Sequence, residues 1–156
     1  MALSANKLIE KKAQPVITKL KVVDGAIHIY KGAHLAYEAG NIGYVELATD
    51  TKTGSNYPEY AGIALDELNV SAADNDADGT YEIEVLTRGC GQWVLADITS
   101  NITIANEGDP VYMDTDDKVD LSSGVVHSVT NGLVGIIRQF VSTNKAWVQL
   151  TQHPVL

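Results

Sequence analysis

Cysteine is almost missing from this chain. Cys90 stands alone, so no internal disulfide can form and stability has to come from burial or association. A lone thiol also suits a reducing compartment. Long apolar runs are missing as well. No stretch of ~18 apolar residues exists to span a bilayer as a helix. The first fifteen residues, MALSANKLIEKKAQP, lack the apolar segment of a signal peptide, and the expectation is a protein made and used without secretion. Basic residues are scarce beyond the start of the chain, which argues against nucleic acid as a partner, because an acidic surface is repelled by phosphate.

What is present fits one domain. The 156 residues are 45% hydrophobic, with 13 glycines and only 20% charged residues. That is enough apolar material for a core, and the glycine content favours many turns and short strands over long surface helices. Charge is divided unevenly. Residues 1–21 carry five lysines against Glu10 alone, a net of +4, whereas residues 22–156 carry 6 basic and 19 acidic residues, a net of −13. A basic arm on an acidic body is the reading. Residues 1–20 are assigned to the arm and 21–156 to a single β domain. Pro15 interrupts any helix in the arm, which could form a short helix over 4–12 or stay extended until it meets a partner.

From residue 21 onward, short runs of β-forming residues are separated by turn residues. They lie at 26–30 (AIHIY), 43–48 (GYVELA), 60–65 (YAGIAL), 81–88 (YEIEVLTR) and 92–95 (QWVL). Within 81–88 the period is two, with Ile83 and Val85 inward and Glu82 and Glu84 outward. Residues 111–113 and 118–120 flank an Asp-rich turn, and 132–141 and 145–150 flank Ser142, Thr143 and Asn144. Both read as hairpins. Residues 68–76 are the one later stretch that could add a helical turn. Strand spacing of ~10 residues predicts an all-β fold, a compact β-barrel or β-sandwich of short antiparallel strands with an extended N-terminal arm.

Catalytic motifs are not found. His28, His34, His127 and His153 are scattered, with no HExxH, and Cys90 sits between two glycines without a second cysteine. There is no GxSxG elbow, no GxxxxGK[ST] loop and no GxGxxG. The expectation is no catalytic residue and no cofactor. The most site-like run is Asp74-Asn75-Asp76-Ala77-Asp78-Gly79. Asp74, Asp76 and Asp78 alternate around a glycine turn as in the first half of a calcium loop. The twelfth position is Val85, not glutamate, and a strand follows where a helix should. A solvated acidic loop is therefore the simpler reading, with calcium the weaker candidate.

The C-terminal half carries GCGQWVL at 89–95, then GDPVYMD at 108–114, then GLVGII at 132–137 and AWVQL at 146–150, preceded by YAGIA at 60–64. This order resembles the capsid decoration, or cement, proteins of tailed bacteriophages, over about residues 25–150. The resemblance implies a β-barrel or sandwich that binds the outside of the phage head at three-fold or quasi-three-fold positions. It implies the major capsid protein and a homotrimer of this chain as partners, and neither catalysis, nucleic acid nor membrane. The site of action would be the virion exterior, after synthesis in the host cytoplasm.

Such a subunit stabilises a shell because it binds only the assembled state. In this reading the arm grips the capsid through Lys7, Lys11, Lys12 and Lys19, with Leu3, Leu8, Ile9, Val16 and Ile17 buried and Pro15 shaping the segment. Two other classes stay open. One is a carbohydrate- or receptor-binding β-module of a phage tail fibre, which would need an exposed aromatic platform. The other is a small hydrolase or isomerase assembled from remote residues.

Overall fold

The computed structural model of the chain describes residues 16–38, 41–49, 58–121 and 132–151. The protein is all-β, as expected. Five strands close into a barrel: β1 (Ile17–Val22), β3 (His34–Glu38), β4 (Asn41–Leu47), β5 (Glu59–Ala64) and β7 (Glu82–Thr87), in the order β1-β4-β3-β5-β7. A second sheet, curved into a half-barrel, contains β8 (Trp93–Asp97), β9 (Pro110–Met113), β10 (Val119–Asp120), β11 (Leu133–Ser142) and β12 (Lys145–Leu150), in the order β10-β9-β11-β12-β8. A small ribbon of β2 (Ile27–Ile29) and β6 (Leu68–Val70) packs on the barrel.

Period-two alternation builds the barrel. In β7, Ile83 and Val85 are buried while Glu82 is exposed. Across from them, Lys19 pairs with Glu84 and Lys21 with Glu82, so opposite charges meet on the outer surface. Val22, Leu35, Val45, Ala61, Ile83 and Val85 fill the interior. The strand β3 is buried on both faces. Leu35 points into the barrel, and Ala36 joins the core of the second sheet. Tyr60 of β5 is also in that second core, together with Val111, Met113, Ile137 and Val148. The two sheets therefore share β3 and β5 as a common wall.

Close strand approaches depend on two glycines. A side chain at Gly62, whose φ is +150°, would collide with the Leu86 carbonyl oxygen, and one at Gly135 would collide with the Gln149 carbonyl oxygen. Both positions need glycine for space, and Gly62 also for its backbone angle.

Several expectations are corrected here. Residues 17–20 are not arm: they form most of β1, paired with β7 and, in parallel, with β4. The β1–β4 pairing is also an exception to a purely antiparallel fold. Residues 68–76 contribute strand β6 and then a single helical turn, in which the Asn75 N–H donates to the Ser71 carbonyl at 3.1 Å, as expected. The two hairpins, β9–β10 and β11–β12, form as read.

Candidate interaction surface

The outer face of the second sheet carries apolar side chains that no part of the described chain covers. Trp93 is 52% exposed, Leu95 49% and Trp147 37%. Their positions follow from register. On β8, Val94 and Ala96 turn toward the core, so Trp93, Leu95 and Asp97 turn out. On β12, Ala146, Val148 and Leu150 are core residues, so Lys145, Trp147 and Gln149 turn out. The ladder sets Leu95 opposite Trp147, Trp93 opposite Gln149 and Asp97 opposite Lys145. Diagonal neighbours are within reach of aromatic side chains, so the two indoles border a single apolar surface around Leu95.

Polar pairs frame it. Lys145 Nζ lies 3.1 Å from Asp97 Oδ1, and Arg138 Nε donates to Gln149 Oε1 at 2.8 Å. Lys145 and Asp97 offset each other, whereas Arg138 keeps its positive charge beside the neutral Gln149 amide, and these groups lie at the rim of the face, where they can stay hydrated.

Beside this face, the free edge of β8 overlooks a groove of about 300 Å³. Its far wall is barrel, with Ile63 from β5 and Leu86 from β7, and Lys31 and Asp117 stand at its border. His34, 4% exposed, lines its floor. Its Nδ1 shares a hydrogen bond of 3.1 Å with the Tyr60 hydroxyl, and its backbone N–H donates to the Asp116 carbonyl at 2.7 Å. Burial pushes the His34 pKa down to about 4, against the opposing pull of Asp117, so the ring is neutral at pH 7. Burial, reinforced by Cys90, raises the Tyr60 phenol far above its ordinary range. These two groups are a satisfied polar contact in the wall between the sheets. Among the described residues, neither side chain hydrogen-bonds a carboxylate or a thiol.

The remaining sequence candidates are dispersed. His28 meets Glu67 at 2.8 Å and stacks on Tyr30. Arg88 bridges to Glu59 and lies over the Tyr37 ring. In the acidic loop, Asp78 Oδ1 accepts from the Asp24 backbone N–H at 2.9 Å and Asp74 Oδ2 accepts from the Ser71 hydroxyl at 2.7 Å. Between them Asn75 is fully buried and donates to the Val23 and Gly25 carbonyls at 2.9 and 3.0 Å. The loop is thus a plug pinned to the barrel. Among the described residues, no three His, Cys, Asp or Glu side chains converge as a metal site.

Of the capsid-gripping candidates, Leu3, Lys7, Leu8, Ile9, Lys11, Lys12 and Pro15 lie outside the described residues, as do His127 and His153. Val16 and Ile17 are exposed at the start of β1. Lys19 is exposed but stands opposite Glu84 of its own barrel. The Trp93–Leu95–Trp147 surface was not singled out by sequence reasoning. Its signal was there in QWVLAD and KAWVQL, where tryptophan and leucine occupy the alternate positions that a half-buried strand turns to solvent. Comparison with family models, curated proteins and solved structures gives no match to this chain.

Proposed function

We propose that the protein is a non-enzymatic decoration subunit of a phage head, holding neighbouring shell subunits together from outside. The observation that carries this reading is the rigid apolar face of Trp93, Leu95 and Trp147, left uncovered on a sheet whose other side is packed core. Its size is that of an ordinary surface patch; what favours a contact role is its content, since tryptophan is enriched among the residues that dominate protein interfaces. Covering it removes on the order of 250 Å² of apolar area, ~6 kcal/mol. That is close to what a single association costs. One copy alone would bind weakly, while several copies linked as a trimer over a three-fold position would bind tightly. The sequence resemblance supplies the shell as partner; the face supplies a means of holding it. In this reading the N-terminal arm adds a second, basic contact.

The test is co-sedimentation of the purified chain with empty shells of the major capsid protein. Saturable binding that Trp93→Ala/Trp147→Ala abolishes is the expected result. Undiminished binding by that variant removes the face from the account, and no binding by the natural chain removes the function.

A second reading has a specific observation behind it. Two tryptophans on one sheet face are also what a sugar platform presents, as a receptor-binding module of a tail fibre would require. Binding of defined glycans on an array, lost in the same variant, would favour it.

A further inference from the structure

Among the described residues, the edge of β8 is open. Ile98 N–H donates to the Asn144 carbonyl and Leu150 N–H to the Gln92 carbonyl, both at 2.9 Å, which fixes the alternation of the β8–β12 ladder. Val94 and Ala96 therefore bond toward β12. Trp93, Leu95 and Asp97 aim their N–H and C=O groups the other way, along the groove against the barrel. Strand β8 carries no proline, bulge or lysine there, the usual devices that protect an edge.

His34 adds a directed donor to the same groove. The Tyr60 side chain is 1% exposed, and the one hydrogen-bond partner of its hydroxyl among the described residues is His34 Nδ1. A buried phenol O–H has to donate somewhere, so Nδ1 is the acceptor and the proton of the neutral imidazole sits on Nε2. Nε2 has no hydrogen-bond partner among the described residues and is not sealed from solvent. A ring that is otherwise buried thus holds a free N–H toward the groove whose floor it forms.

We propose that this groove takes an extended segment of the major shell protein, paired with the β8 edge as an added strand and presenting an oxygen acceptor to His34 Nε2. The inference rests on the capsid reading and names what the shell contributes. Hydrogen bonding argues for it first. Donors and acceptors at every second residue of β8 are matched by another extended backbone. Room for the occupant is limited. Ile63 and Leu86 of the barrel stand opposite β8 across about 300 Å³, which admits a single extended chain and not the edge of a second sheet. Those two residues give its side chains an apolar wall.

Charge and position agree. Lys31 and Asp117 stand at the border with opposite signs, and Asp97 is already paired with Lys145, so the groove favours an uncharged segment. Leu95 belongs to both places. Its side chain lies on the face with Trp93 and Trp147, and its N–H and C=O open on the groove. A shell subunit seated on that face therefore stands beside the groove.

The test is amide hydrogen exchange on the full chain, free and bound to empty shells of the major capsid protein. Amides of Trp93, Leu95 and Asp97 are expected to slow about tenfold or more on binding. A second measurement isolates the backbone. Leu95→Ala and Leu95→Pro both remove the side chain from the face, but only proline removes the edge N–H, a change that edge strands tolerate. Leu95→Pro should bind shells about tenfold more weakly than Leu95→Ala. Shell binding with unchanged exchange at the three amides, or equal binding by the two variants, would overturn the groove proposal and leave the tryptophan face standing. No binding by the natural chain would remove both. Slow exchange already present in the free chain would also overturn it, since the occupant would then come from this chain or another copy.

Discussion

Leu95 and Trp147 stand opposite each other across the β8–β12 ladder, both turned to solvent on a sheet whose inner face is packed. Each is about half covered by its own sheet and half exposed. Replacing Trp93 and Trp147 by alanine should lower unfolding free energy by about 2–4 kcal/mol through the half-covered parts of the two rings and still leave the chain folded, measured by urea denaturation. Shell binding should nonetheless disappear. Loss of the cooperative unfolding transition would mean the indoles serve folding rather than contact.

His34 makes the protein acid-sensitive. Its folded pKa is about 4, below the ~6.5 of an unfolded histidine. Between those values the unfolded chain takes up a proton that the folded chain refuses. The stabilisation is complete above pH ~6.5 and is lost as pH falls toward 4, a change of about 3 kcal/mol. Denaturation midpoints across that range should fall with pH in the natural chain and fall less in His34→Gln. Parallel slopes would contradict the assignment.

Gly135→Ala should be among the most damaging single-methyl changes in the chain. Its Cβ would meet the Gln149 carbonyl and, at 2.8 Å, Val148 Cγ1, forcing β11 from β12. A loss of about 3 kcal/mol is expected from the melting curve.

Asn75→Ala should cost about 2–4 kcal/mol, because it leaves the Val23 and Gly25 carbonyls without their donor in a buried place. Calcium should leave the melting temperature of the natural chain unchanged, since the loop is held by protein contacts. A calcium-dependent rise measured by calorimetry would restore the cation reading of Asp74, Asp76 and Asp78.

Strands with one wet face were legible from sequence: β7 alternates cleanly, and both C-terminal hairpins have polar turns. The strands that were missed fail for physical reasons. In β3, His34-Leu35-Ala36 is buried on both faces, so no alternation marks it. In β1 the outward positions are Ile17, Lys19 and Lys21, and lysines that face Glu82 and Glu84 across a ladder look like a charged arm until the partner strand is known. The candidate surface was hidden differently. Trp93 and Trp147 are 54 positions apart in the sequence, and only the β8–β12 register makes them neighbours.

Quantitative mass spectrometry of purified virions tests the central claim most directly, by comparing copies of this chain with copies of the major shell protein. A fixed stoichiometric ratio, lost when Trp93 and Trp147 are both replaced, is the expected result. Intact particles that contain none of this chain would contradict it.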